Sequence, residues 1–322
     1  MNASINGFLF LLLLLTGSCQ PDKQRQPAVD EATLPSQFLL VLGVAQDAGY
    51  PQAGCEKECC KAYWENRETK KLVTSLALVD RVTDQYWLFD ASPDITAQLK
   101  NLQPYLRNGP DHTPDGIFLS HAHIGHYTGL MQFGREAMGA SNIPVYALPR
   151  MDSFLRHNGP WSQLVSLNNI SLRNMSVDTG VVVNPSFRVV PVRVPHRDEF
   201  SETAGFIITN GKKKILFIPD IDKWEKWDND IVDAVRSFDR VIIDGTFYQN
   251  GELPGRDMSE VPHPFVEESM KLLSGLPDSV RSKVLFIHFN HTNPLLKKES
   301  VEKRKVKEAG FGVAEEGMII AF

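Results

Sequence analysis

The sequence predicts a single α/β domain in which two sheets pack together with helices outside, and three observations lead there. Short apolar runs bounded by turn residues alternate with stretches of helical period from Gln37 to Phe322. Several of the runs stop at a histidine or an aspartate. The composition, 42% hydrophobic and 23% charged with a formal net charge of −5, suits a chain that buries a core and excludes a disordered one.

The elements follow in order. Phe38–Gly43 is a short buried strand that runs into a loop over Gln46–Cys60. Ser75–Val79 and Tyr86–Asp90 are two strands joined by a polar turn at Thr83-Asp84. Ser92-Pro93-Asp94 starts a helix, with Ser92 as the cap and Pro93 at the first helical position. Ile117–Ser120 is a buried strand ending at a histidine cluster. Ile143–Leu148 is the next strand, before a helical stretch that breaks at Asn158-Gly159-Pro160. Ser171–Val194 and Ala204–Pro219 are strand-rich, with turns at Asn184-Pro185 and Asn210-Gly211. Trp224–Phe238 is helical, Val241–Asp244 a strand, Pro264–Leu276 a helix, Val284–Phe289 a strand and Val301–Ala309 a helix.

The charge balance, 34 Lys and Arg against 39 Asp and Glu, lacks the basic excess of a sequence-independent nucleic-acid binder. Four cysteines in 322 residues are too few for a disulfide scaffold, so their use is a separate question. Phe8–Leu15 is an apolar run too short to span a bilayer, which needs about 20 residues. It has the length of a signal-peptide core. With Gly17-Ser18-Cys19 behind it, the segment resembles a bacterial lipobox, in which the cysteine is lipidated; the alternative is an ordinary cleaved signal. The expected organisation is a lipoprotein-type signal over 1–19 with Cys19 as membrane anchor, a tether over 20–36, and the folded domain over 37–322. The chain is then exported, facing the periplasm or cell exterior.

The strongest chemical signal is Ser120-His121-Ala122-His123-Ile124-Gly125-His126, directly after a buried strand. His121 and His123, two apart, can face one side of an extended segment, and His126 can return at the start of a helix, as divalent-metal binding requires. His196, Asp220 and His288 also stand at strand ends. Each alone would be weak, and their shared placement gives them weight.

In this order of motifs the chain resembles the metallo-β-lactamase superfamily, and within it the pyrroloquinoline quinone biosynthesis protein B group. The segments that carry the likeness are Val41–Ala45, Gly49-Tyr50-Pro51-Gln52, Asp244-Gly245-Thr246, Ile287–Pro294 and Glu316–Ile319. The resemblance implies the four-layer αββα sandwich as one domain. It implies a first metal site of His121, His123 and His196, a bridging Asp220, a second site of His126 and His288, and Asp90 supporting the histidine loop. Where the superfamily has an aspartate between the second and third histidines, this chain has Gly125, so a tight first site and a weaker second are expected. Asp47, in the loop after the first strand, and Asp222, two residues after Asp220, are candidates to fill the gap; the alternative for Asp47 is an aspartate capping a turn before Ala48-Gly49.

Cys55, Cys59 and Cys60 supply three thiols of a tetrahedral zinc site. Likeness to the phosphonate-operon phosphodiesterase implies His291, from His-x-x-His at 288 and 291, as the fourth ligand. A disulfide is the alternative. The implied cofactors are one or two zinc ions in the active site, with iron or manganese as substitutes, and one structural zinc.

The function expected is metal-dependent hydrolysis of an ester, amide or phosphodiester bond in a small molecule, with Asp220, His263 and Asp47 as catalytic candidates. Phe247 stands after Asp244-Gly245-Thr246 where phosphodiesterase relatives place a histidine, which argues against that activity. His112 and His157 are read as unrelated to chemistry, and Trp161 as a packing residue that could line the pocket. Alternatives are an oxidative enzyme of quinone cofactor biosynthesis acting on a tyrosine-bearing peptide, or a non-catalytic metal-binding lipoprotein.

Overall fold

Strands apolar on both faces can only be buried between two layers, and this dictates the architecture. The computed structural model describes residues 30–107 and 113–322. In β1 (Gln37–Gly43), Leu39 and Val41 face a core between the sheets, while Phe38, Leu40 and Leu42 face an outer helical layer. The same alternation holds in β2 (Ser75–Asp80) and β3 (Gln85–Phe89), where Leu76, Leu78, Trp87 and Phe89 point inward. Each such side chain stabilises the fold by roughly 1.5–3 kcal/mol on full burial.

The first sheet continues through β4 (Gly116–Phe118), β5 (Ile143–Ala147) and β6 (Ile170–Asn174). The second contains β7 (Val181–Val182), β8 (Arg188–Arg193), β9 (Ala204–Thr209), β10 (Lys214–Ile218), β11 (Arg240–Asp244), β12 (Val284–Ile287) and β13 (Gly312–Val313). β14 (Ile319–Ala321) returns to pair with β1. The strand orders are β14-β1-β2-β3-β4-β5-β6 and β13-β12-β11-β10-β9-β8-β7. Each sheet is antiparallel on one side and parallel on the other, from β3 to β6 and from β10 to β13. The helices α1 (Glu58–Trp64), α2 (Ile95–Leu102), α3 (Ile124–Tyr127), α4 (Pro149–His157) and α5 (Trp161–Ser166) are followed by α6 (Ile231–Ser237), α7 (Val266–Leu273), α8 (Asp278–Arg281) and α9 (Val301–Glu308). Residues of α2, α4 and α5 cover the outer face of the first sheet, and Val235, Leu273 and Val306 pack with the second. This is the expected four-layer αββα sandwich.

Several boundaries differ from the sequence reading. Ser92 does not cap α2; the cap position is Asp94, and Ser92 Oγ instead accepts from Asp94 N and donates to Gln98 Oε1. The loop read over Gln46–Cys60 ends inside α1, which carries Cys59 and Cys60. Trp224–Phe238 splits into a single 3-10 turn at Trp224–Lys226 and α6, whose cap Asp230 accepts from Val232 N and Asp233 N. Ser171–Val194 conceals the crossover between sheets, since β6 pairs with β5 whereas β7 and β8 pair within the second sheet. The signal run, Cys19 and most of the tether lie outside the described residues, as does His112. No helix among the described residues is long and apolar enough to cross a membrane.

Pairing directions put the C-terminal ends of β1, β3 and β4 at one end of the first sheet. They do the same for β8, β10, β11 and β12 in the second. Ligands of α/β sheets gather at such carboxyl ends. Every histidine and aspartate singled out as a strand-end residue sits there.

Candidate metal centre

Four donor atoms converge at the end of β4. His121 Nε2 lies 2.8 Å from His123 Nδ1, and His196 Nε2 lies 3.3 Å from the same nitrogen. Asp220 Oδ2 completes the group, 3.5 Å from His121 Nε2 and 3.3 Å from His196 Nε2. Bonds of 2.0–2.1 Å to zinc give a tetrahedral edge of about 3.3 Å, so the spacing fits one ion.

The tautomers support this reading. Ser120 Oγ donates to Asp90 Oδ2 and therefore accepts from His121 Nδ1, which leaves a lone pair on His121 Nε2. His123 Nε2 faces Glu199 Oε2 at 3.2 Å, which leaves the lone pair on His123 Nδ1. Two lone pairs 2.8 Å apart repel unless a cation lies between them. Burial lowers the proton affinity of both rings, of His121 strongly, so a proton fills that role poorly.

Beside this group lies a second one, built of Asp47, His126 and His288. His126 Nε2 is 3.1 Å from Asp47 Oδ1, and His288 Nε2 is 3.9 Å from it. Asp220 Oδ2 stands 3.9 Å from both histidine nitrogens, so one oxygen faces both groups. His126 Nδ1 is tied to Asp90 Oδ2 at 2.7 Å. Thr246 Oγ1 donates to Asp244 Oδ1 and so accepts from His288 Nδ1 at 2.9 Å. Both rings again aim Nε2 inward, held from behind by a carboxylate, directly or through a hydroxyl, as metal-ligating histidines are. Asp47 Oδ1, His126 Nε2 and His288 Nε2 are buried and have no hydrogen-bond partner. Burial opposes charge on His126, but Asp90 and Asp47 outweigh it and push the ring well above its ordinary pKa. Burial likewise opposes ionisation of Asp47 and Asp220, yet the surrounding histidines hold both carboxyls well below their ordinary range. The pocket therefore calls for positive charge at this place, and a divalent metal fits it.

Asp47 occupies the space left by Gly125. A Cβ on Gly125 would lie 2.3 Å from Asp47 Oδ1 and 2.5 Å from Asp47 Cα. A carboxylate from the loop after β1 thus stands beside the helix that lacks one, and the second group carries the negative charge of Asp47. Asp47 is thereby placed with His126 and His288 as one of three side chains that could hold a metal ion.

His263 lies in the loop before α7, buried, with Nδ1 2.8 Å from Asp244 Oδ2 and 3.1 Å from Asp220 Oδ1. Burial disfavours its charged form, but the two aspartates outweigh that and raise its pKa to about 10. It orients Asp220. Asp222 bonds Lys223 N and Lys226 Nζ instead of joining the site. His157 bonds Ser153 at the end of α4, and Trp161 packs on Tyr127 and Phe154. Sequence reasoning did not single out Glu199 or Ser120, and it used Asp244 and Thr246 only as marks of the family. The charged run Arg197-Asp198-Glu199 after a ligand histidine was the available signal for Glu199.

Cys55, Cys59, Cys60 and His291 form a third group. Cys55 Sγ–Cys59 Sγ is 3.6 Å, Cys59 Sγ–His291 Nδ1 3.6 Å and Cys60 Sγ–His291 Nδ1 3.3 Å. Zinc–sulfur bonds of about 2.3 Å predict sulfur–sulfur edges near 3.8 Å. A disulfide would bring two sulfurs to about 2.05 Å, and the three cysteines are free. The adjacent Cys59 and Cys60 can serve one ion because both lie in the first turn of α1.

A family model described as the β-lactamase superfamily domain matches residues 86–289. Coenzyme PQQ synthesis protein B of Pseudomonas putida (strain W619) is 28% identical over 314 residues, covering 88% of this chain and 99% of that protein. Among solved structures, Zn(2+)-bound PqqB from Methylobacterium extorquens superposes with a TM-score of 0.75 at 21% identity, over 88% of this chain and 100% of that one. A diphosphatase from the PhnP family gives a TM-score of 0.62 at 19% identity, covering 89% and 97%.

Proposed function

The chain belongs to the β-lactamase superfamily, and from that premise we propose that it is a PqqB-like metal-dependent enzyme acting on a precursor in quinone cofactor biosynthesis. The near full-length likeness to coenzyme PQQ synthesis protein B supports this over the general hydrolase expected from the motifs alone. One observation carries the reading: Asp47, His126 and His288 make a set of two histidines and one carboxylate. A divalent ion held there supplies Lewis acidity, and iron(II) in such a set adds redox chemistry with oxygen.

The chain's own residues prepare both sites. Asp90 fixes His126 directly and His121 through Ser120. Asp244 fixes His288 through Thr246 and, with Asp220, holds His263. Asp220 keeps one oxygen toward both sites, with the other 3.1 Å from His263 Nδ1. His121, His126, Asp220 and His288 are almost fully excluded from water, which strengthens every charge interaction among them. In this reading the substrate is a small molecule or peptide and the domain works at a membrane surface through Cys19. Mass analysis of the N-terminal peptide tests the anchor.

The test of the activity compares two assays. Oxygen uptake by iron(II)-loaded protein with tyrosine-containing peptides, lost in Asp47→Ala, supports the proposal. Turnover of bis-p-nitrophenyl phosphate with zinc or manganese, without oxygen uptake, overturns it in favour of a hydrolase. Metal binding with neither activity reduces the chain to a metal-binding protein.

A further inference from the structure

Two segments each hold one ligand of the second metal site and part of the Cys3His group. The first runs from Val44 to Cys60 and carries Asp47 near its start, then Cys55, Cys59 and Cys60. The second is the turn after β12, where His288 faces the second site and His291, three residues on, faces the thiols. Backbone bonds join the two: Gln46 N donates to Phe289 O at 2.8 Å and Phe289 N to Val44 O at 2.8 Å. Asn290 Nδ2 adds a bond to Gln46 Oε1 at 2.7 Å. His288 has a φ of 68°, in the left-handed region, a conformation that needs its surroundings to hold it. The ligands of the first site come from elsewhere, His121 and His123 after β4, His196 after β8 and Asp220, which faces both sites, after β10.

We propose that the ion of the Cys3His group is a staple that sets the second metal site, fixing Asp47 and His288 relative to each other while leaving the first site independent. The proposal rests on the reading of Asp47, His126 and His288 as a metal site. It follows from the exchange of Gly125 for Asp47. A carboxylate at position 125 would ride on α3 beside His126 and would not feel the staple. In this chain the carboxylate rides on the loop that the thiols pin. Removing the staple leaves the loop and the His288 turn joined at Val44, Gln46, Phe289 and Asn290 but unpinned at the thiols, so the frame the two ligands share loosens.

The experiment measures zinc equivalents and chelator-competition affinities for the full chain, for His291→Asn, for Cys59→Ser and for His126→Ala. Cys59 is half-buried, which makes its serine variant the second staple variant beside His291→Asn, and circular dichroism reads whether each folds. The expected result is loss of the staple equivalent and a second-site affinity lowered roughly 10–100-fold, as when support behind metal ligands is removed, with the first site unchanged. Unchanged second-site affinity in a folded staple variant overturns the coupling, provided His126→Ala loses one equivalent. If His126→Ala loses none, the second-site reading itself falls and the coupling falls with it. Equal weakening of both sites also overturns the proposal, because it signals general loosening.

Discussion

Gly125→Ala is the smallest change that tests how the second site is built. The substitution adds one methyl group in α3, and in helix propensity alone it favours folding by up to about 1 kcal/mol. Sterics point the other way. The new Cβ would meet Asp47 Cα at 2.5 Å and Asp47 Oδ1 at 2.3 Å, and one of these contacts is backbone. Carbon atoms rest at about 3.5–4.0 Å, so the Asp47 loop must retreat by roughly 1 Å. Overpacking of this kind costs about 1–3 kcal/mol, which exceeds the propensity gain. A metal site tolerates only about 0.5 Å of displacement, so Asp47 leaves its place opposite His126. Differential scanning fluorimetry is expected to show a Tm lower by roughly 2–10 °C. Metal analysis is expected to show loss of the second-site ion with the first retained. An unchanged melting point together with full metal content would refute the argument, since Asp47 would then not be filling the space beside Gly125.

Three further outcomes follow from the geometry. Asp90→Asn removes the carboxylate behind His126 and Ser120, and metal affinity is expected to fall roughly 10–100-fold by chelator competition; unaltered affinity would show that Asp90 does not position the histidines. In metal-free protein, His263 has a folded-state pKa raised to about 10, so its pairing with Asp244 and Asp220 stabilises the fold fully below its ordinary pKa of about 6.5 and is lost as pH rises toward 10. Denaturant midpoints should decline across that window and His263→Gln should flatten the decline; a wild-type profile without slope there would contradict the assignment. Cys55, Cys59 and Cys60 should resist alkylation until a chelator is added, as peptide mapping reads; protection relieved by reductant alone would indicate a disulfide instead.

How much of the centre was legible in the sequence depends on chain distance. His121, His123 and His126 lie within six residues after an apolar run, so local pattern was enough to mark them. His196, Asp220 and His288 needed the resemblance, because a single histidine or aspartate at a strand end carries little signal. Asp47 could be named only as one candidate to fill the gap, and the partners of His263 were not legible. Asp47 meets His126 across 79 positions of sequence, and no local pattern distinguishes it from an aspartate capping a turn. His263 sits in a Pro-flanked loop, and only the packing of that loop against the end of β11 gives it Asp244 and Asp220 as partners.

The sequence by itself determined the layers of this protein, because apolar runs buried on both faces have no stable home except between a second sheet and helices. It also determined the chemistry of the centre, since histidines clustered at strand ends have few uses besides metal. Tertiary structure alone decided which carboxylate lies beside His126 and His288, and that His291 lies against the thiols. Those facts depend on distances between loops remote in sequence. Such distances are set by strand pairing and by the space a missing side chain leaves, and neither is written in any one segment.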